Sequence, residues 1–175
     1  MDWYFTVFEL IDMRSFSNLW FWIALAVVWS SASHWVLGVP YDMVSRARRK
    51  GGQASEDLTD LLRINTNRLL YIADEAGVSI ITAGTFFLSA FLILGWVYGV
   101  EIAQALFLLG FPMSIVSLLS VRTARALHTK DTDLDAVFKR LARHRLYVQI
   151  IGMVSIFVTA LWGMFQNLSV GVLGG

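Results

Sequence analysis

The sequence predicts an all-α membrane protein, a polytopic helical bundle with four transmembrane helices. Hydrophobic residues make up 57% of the 175-residue chain and charged residues 15%, against about a quarter charged in soluble domains. Four stretches of 20 to 22 residues, at 18–39, 76–97, 102–121 and 146–165, contain no Asp, Glu, Lys or Arg. Roughly 20 apolar residues span a bilayer as a helix, and a backbone in lipid must satisfy its own hydrogen bonds. Each stretch is therefore expected to be a transmembrane helix.

The segment 1–17 precedes the first stretch and predicts an interfacial amphipathic helix. Its polar residues recur every three or four positions and share one helical face, with aromatic and aliphatic residues around the rest: Asp2, Thr6, Glu9 and Asp12. We expect this helix to lie in the outer interface, before Ser15 or Ser17 caps the first span. It lacks the basic region of a cleavable signal. Trp3, Phe5 and Phe8 then either anchor the helix in lipid or dock against a neighbouring membrane protein.

The distribution of basic residues predicts the orientation of the chain. Thirteen of the 14 Lys and Arg residues lie in two segments, 40–75 and 122–145. The turn 98–101 and the tail after Phe165 contain none. Because cytoplasmic loops carry the excess of Lys and Arg, both segments are expected in the cytoplasm of a bacterial inner membrane. Both termini are then periplasmic.

The two cytoplasmic segments contain their own helical patterns. In the first, Gly51-Gly52 breaks the chain and Ser55 is a candidate N-cap, and no breaker follows before Gly77. A helix is therefore expected to run unbroken into the second span. In the second, Thr132 and Asp135 have the spacing of a capping box, and that helix is expected to continue into the fourth span.

A weak internal repeat relates the two halves of the chain. Segments 46–80 and 122–156 align without a gap and share nine of 35 residues, including Val78-Ser79-Ile80 with Val154-Ser155-Ile156. One interpretation is a single membrane domain, 1–175, built from two tandem hairpins, 18–97 and 98–175. The alternative is convergence, because two basic amphipathic segments that lead into spans resemble each other.

The sequence offers little chemistry. The absence of cysteine excludes disulfides, thiolate metal sites and a catalytic thiol. His34 could ligate one metal or one chlorin magnesium, but an interfacial histidine beside Trp35 is the expectation. Asp74 and Glu75 could join His144 at a metal site, yet they lack Glu-x-x-His spacing and are expected to be a solvated helix flank. We expect no enzyme, no cofactor, no bound metal and no small-molecule substrate.

Two groups of residues predict interactions. The cationic cluster directly beyond the first span favours anionic lipid headgroups over nucleic acid: Arg46, Arg48, Arg49 and Lys50. Gly95 and Gly99 form a G-x-x-x-G pattern near the outer end of the second span, which is typical of close helix contacts and is predicted to dock a partner or to serve the bundle itself.

The opening run MDWYFTVFELIDMRSFSNLWFWIALAVVWSSASHWVLGVPYDMV resembles an uncharacterised family of four-span inner-membrane proteins of purple alphaproteobacteria. The resemblance implies an accessory subunit of a photosynthetic or respiratory complex. Some members carry the label "component of SufBCD complex", which concerns iron–sulfur assembly. A chain without cysteine supplies no thiolate to a cluster scaffold, so that label is not transferred here.

Two functions are therefore predicted. The first is a non-enzymatic accessory or assembly subunit of a larger integral membrane complex, either photosynthetic (reaction centre–antenna) or respiratory. The alternative is the small membrane subunit of a TRAP-type solute transporter, whose transport subunit would be a separate chain.

Overall fold

The computed structural model describes residues 15–17, 19–128 and 133–173, and this part of the chain is all-α, as predicted. After a short 3-10 turn at Ser15–Ser17 come α1 (Leu19–His34), α2 (Tyr41–Lys50), α3 (Gln53–Trp96), α4 (Glu101–His128) and α5 (Leu134–Leu173). By length and composition, α3, α4 and α5 can each cross a membrane. Residues 1–14, which carry most of the predicted interfacial helix, lie outside the described residues.

The first apolar stretch, 18–39, is not one continuous helix, which corrects the predicted boundary. Helix α1 has 16 residues, about 24 Å at roughly 1.5 Å per residue, and ends at His34. The chain then forms a small antiparallel hairpin in which Trp35–Val36 pairs with Val39–Pro40. A proline favours extended backbone in the residue before it, and the turn needs positive φ at Leu37 (53°) and Gly38 (76°), so the helix cannot continue. The absence of charged residues from 18–39 gave no indication that the helix ends at His34.

The hairpin leads into α2, a helix the sequence analysis did not predict. Val44 and Ala47 are buried on its inner face, while its Arg and Lys side chains face outward. Gly51 and Gly52 then reverse the chain with φ of 61° and 50°. Helix α3 follows at Gln53, so Ser55 lies inside the first turn and does not cap it. Its hydroxyl instead donates a hydrogen bond to the Ala47 carbonyl, at 3.3 Å, which fastens α2 to α3.

Two predicted continuous helices are confirmed. Helix α3 runs for 44 residues and α5 for 40, each from a basic segment into an apolar one. Helix α4 has 28 residues and passes through Pro112 without ending. A proline inside a helix leaves the carbonyl four residues earlier without its usual partner. The Ser155 hydroxyl of α5 reaches that carbonyl, on Leu108, at 3.4 Å, so a neighbouring helix supplies the missing donor.

The principal helix contacts pair α3 with α4, α4 with α5, α2 with α3, and α1 with α5. The two predicted hairpins, 18–97 and 98–175, are not confirmed, because α1 packs mainly on α5. Positions aligned by the repeat also differ in burial: Leu58 and Leu70 are buried, whereas Leu134 and Leu146 are exposed. The duplication stays a prediction.

The largest hydrophobic core lies at the end of the bundle where the basic segments meet. It joins the small hairpin, α2, the first half of α3, the end of α4 and the start of α5. Its buried residues are Val36, Leu37, Val39, Val44, Ala47, Leu58, Leu62, Leu70, Ala124, Phe138 and Leu141. Two smaller clusters lie along the apolar segments, one around Trp29 and one around Phe16 and Phe21. Apart from Val36, Leu37 and Val39 of the hairpin, the residues of the largest core lie outside the apolar stretches.

Candidate functional site

Of the three described helices that are long enough to span a membrane, α3 has the most exposed apolar segment. None of its most hydrophobic 18-residue window is buried inside the chain, against 22% and 28% for the windows of α4 and α5. Val78 is 82% exposed and Phe86 67%. Phe86, Phe87 and Phe91 form a chain of ring contacts along this surface. Whatever covers this surface is therefore not part of the described chain; lipid and a second protein both fit its chemistry.

A polar cluster lies at the end of the bundle opposite the basic segments. The buried Gln104 side chain donates to the Gly95 carbonyl at 2.7 Å. Its oxygen accepts from the Trp162 indole at 2.8 Å and from the Gln166 amide at 2.7 Å. One amide therefore links α3, α4 and α5. Interhelical hydrogen bonds of this kind stabilise helix association where lipid replaces water.

The two predicted docking glycines have different surroundings. Gly95 contacts α4, and a methyl group there would lie 2.9 Å from the side chain of Gln104. Gly99 lies beyond the end of α3, in the turn to α4, with φ of 70°. The pair is therefore not one helix face, and Gly95 serves a contact within the chain. The other predicted docking residues, Trp3, Phe5 and Phe8, lie outside the described residues.

The predicted lipid-binding cations lie together on α2. All four are exposed, and Arg46 makes one weak pair with Asp42 at 3.8 Å. Arg48 and Arg49 also border an open cavity of about 620 Å³ that extends to Phe138 of α5. Tyr41, at the start of this helix, stacks under the Arg145 guanidinium at 3.9 Å, which joins α2 to α5.

A second basic surface, which the sequence analysis did not single out, is the groove between α4 and α5. Its volume is about 460 Å³. Four cations line it together with small and apolar residues: Arg122, Lys139, Arg140 and Arg143. Their signal in the sequence was helical spacing, because 139, 140, 143 and 147 share a face of α5 and 119, 122, 123 and 126 share a face of α4. Only the packing of the two helices shows that the faces oppose each other.

His144 forms part of the wall of this groove. It lies between Arg143 and Arg145, before the charge-free stretch 146–165, and is almost fully buried. Its Nδ1 is 3.1 Å from the Thr123 hydroxyl and its Nε2 is 3.5 Å from the Ser120 hydroxyl. Burial lowers the pKa of His144 below its usual value. The neutral imidazole is therefore favoured, and it ties α5 to α4.

The candidate metal ligands are not brought together. Asp74 pairs with Arg125 at 2.8 Å, as expected for a solvated flank offset by arginine. His34 is exposed at the end of α1, with its ring edge against Trp35 at 5.9 Å. Within the described part of the chain, no group of three or more His, Asp or Glu side chains is arranged to hold a metal ion.

Comparison of the chain with models of known protein families, with curated proteins and with solved structures gives no match. Its function is therefore argued from its own residues.

Proposed function

We propose that this protein is a non-enzymatic accessory or assembly subunit of a larger integral membrane complex in a bacterial inner membrane. The observation that carries the proposal is the exposed apolar surface of α3, where none of the most hydrophobic window is buried by the rest of the chain. The sequence resemblance described above favours a photosynthetic or respiratory complex as the partner.

The topology that goes with this proposal has four spans and two periplasmic termini. Helix α1 is short for a span, but the 3-10 turn before it and the buried hairpin after it extend the apolar segment at both ends. Non-helical backbone is tolerated at membrane depth where protein buries it. Alkaline phosphatase fused after Gly175 should be active, and a fusion at Gly52 inactive. The reverse pattern would overturn this orientation.

The aromatic residues of α3 support protein contact as well as lipid contact. Phe86 and Phe87 are exposed on α3, a helix that packs mainly against α4. In lipid, an exposed phenylalanine is stabilised little more than a smaller apolar side chain, because the surrounding lipid tails are as apolar as either side chain. Against a protein partner, buried aromatic side chains are among the residues most often responsible for affinity.

The test is recovery of the complex from membranes in gentle detergent, with co-purifying chains identified by mass spectrometry. Phe86→Ala with Phe87→Ala should leave insertion and abundance unchanged but reduce recovery of a defined larger partner at least fivefold. Phe157→Ala with Phe165→Ala, on the exposed surface of α5, is the matched control. Equal recovery for both variants and wild type would exclude α3 as the docking surface. Recovery of a large transport subunit would instead identify the TRAP-type alternative.

The amino-terminal aromatic residues are tested in the same way. Trp3→Ala with Phe8→Ala should insert normally and lower recovery of the partner if segment 1–17 docks. Unchanged recovery at matched membrane levels would leave that segment as a lipid anchor.

A further inference from the structure

We propose that the groove between α4 and α5 binds the phosphate headgroup of one anionic phospholipid of the cytoplasmic leaflet, through Arg122, Lys139, Arg140 and Arg143. The site is separate from the cationic cluster on α2. It does not depend on the accessory-subunit proposal, because it needs no protein partner.

The groove is strongly cationic. Four cations line one groove of about 460 Å³, and none of the described residues that line it is a carboxylate. Within the described residues, Arg122, Lys139 and Arg143 make no ion pair. Like charges that share one groove repel each other, and a bound phosphate adds attraction to each cation that offsets this repulsion. The groove is therefore suited to an anion.

Hydrogen bonds between α4 and α5 hold the two sides of the groove together. The Arg140 guanidinium donates to the Ala126 carbonyl in the last turn of α4, at 3.0 Å, so this arginine is held at the groove. The Thr123 hydroxyl of α4 and Nδ1 of His144 of α5 are 3.1 Å apart and also join the two helices at the groove. The charged groups consequently project from two helices that are already fixed to each other, which lowers the entropy cost of gathering them around a ligand.

The position of the groove favours a lipid over free phosphate. Its lining includes Leu119 and Tyr147, which already belong to the charge-free stretches 102–121 and 146–165. The same helical faces continue along those two stretches as exposed apolar side chains, Ile115 on α4 and Ile150 on α5. A phosphate at the basic end would place acyl chains along this apolar surface. Basic pockets between transmembrane helices on the cytoplasmic side are known to bind anionic headgroups.

The experiment is native mass spectrometry of the purified full-length chain in detergent, titrated with phosphatidylglycerol or phosphatidylcholine at physiological salt. We expect one phosphatidylglycerol to be retained in preference to phosphatidylcholine. Lys139→Gln with Arg143→Gln should weaken that binding about tenfold or more, since two of the four cations that line the groove are then neutral. Arg46→Gln with Lys50→Gln removes the same charge from α2, outside both cavities, and should change binding less than about threefold because salt screens distant charges.

The outcomes separate the sources of phosphate. Inorganic phosphate at equal concentration should not displace the lipid; displacement would assign the groove to a soluble phosphate and overturn the lipid proposal. Equal weakening by both double variants, or no preference for phosphatidylglycerol, would also overturn it. Arg122→Gln, on the opposite wall, repeats the test if the first variant misfolds. Lys139→Arg with Arg143→Lys keeps the charge and should retain binding.

Discussion

The two halves of α3 are one continuous helix with opposite packing. Its first half buries a residue at every third or fourth position, whereas its apolar half buries none before Gly95. The buried residues of the first half are Ser55, Leu58, Leu62, Thr66 and Leu70. In water, covering apolar side chains is itself favourable, by roughly 25 cal/mol per Å². In lipid that driving force is absent, so helices associate through close fit and hydrogen bonds.

The comparison explains why the described contacts differ at the two ends of the molecule. The end with the basic segments is held by an extended core of apolar side chains from five elements. The contacts at the opposite end include a close glycine contact and one buried amide, at Gly95 and Gln104. At the end with the basic segments, the free energy of unfolding should fall when a core side chain is shortened. At the opposite end, it should fall when the close helix contact or the hydrogen bonds between helices are disrupted.

The largest expected effect is a matched pair of truncations within α3. Leu58 is 1% exposed and Leu92 is 46% exposed. Leu58→Ala should lower the free energy of unfolding by about 2–5 kcal/mol because it leaves a cavity in the core. Leu92→Ala should cost less than about 0.5 kcal/mol. Unfolding in detergent with increasing denaturant measures both, and equal losses would contradict the contrast.

A glycine pair tests close fit in the apolar half. Gly95→Ala places a methyl group 2.9 Å from the Gln104 side chain and 3.1 Å from its backbone nitrogen. The helices must separate, at a cost of about 1–3 kcal/mol. Gly84 has no atom within 4 Å of such a methyl group, so Gly84→Ala should be neutral or slightly stabilising. Thermal unfolding of the two variants side by side is the measurement; a stable Gly95→Ala protein would show that this contact is dispensable.

The buried amide gives a smaller effect. Gln104→Leu removes three hydrogen bonds between helices and should cost about 1–2 kcal/mol. Ser117→Ala is the control, because the exposed Ser117 hydroxyl bonds only to the Met113 carbonyl of its own helix. Tryptophan fluorescence should report the loss of the Trp162 contact in the first variant alone. An unchanged spectrum would argue against the hydrogen bond.

The smallest expected effect is a dependence of the free energy of unfolding on pH, through His144 at the end with the basic segments. Burial lowers the pKa of His144 from its ordinary 6.5, so below about pH 6.5 the unfolded chain binds a proton that the folded chain does not. Stability should fall as the pH decreases through that value and level off below the lowered pKa. His144→Asn should flatten the profile, whereas His128→Asn, at an exposed position, should not. Identical slopes in all three proteins would rule out this assignment.

The sequence predicted the long helices well because their determinants are local. Helix α3 contains no proline and no glycine between Gly52 and Gly77, and Gly99 marks the turn that follows its last residue, Trp96. The end of α1 was missed although its signals, Gly38 and Pro40, were visible. The hairpin that forms there is held to α3 by Asn65, 27 residues later, whose side-chain amide donates to the Gly38 carbonyl at 2.9 Å.

By itself, the sequence determined the class of structure and the segments that carry the charges. Hydropathy and charge set whether a segment prefers lipid or water, and this preference does not depend on which other segments it packs against. Only the tertiary structure decided which helices are neighbours, that Gly95 faces Gln104, and that Arg122 lies across a groove from Lys139 and Arg143. Those relations join residues on separate helices, from 9 positions apart for Gly95 and Gln104 to 123 positions apart for Trp29 and Gly152. They depend on how side chains of particular shape fit between two helices, and no periodicity within one segment specifies that fit.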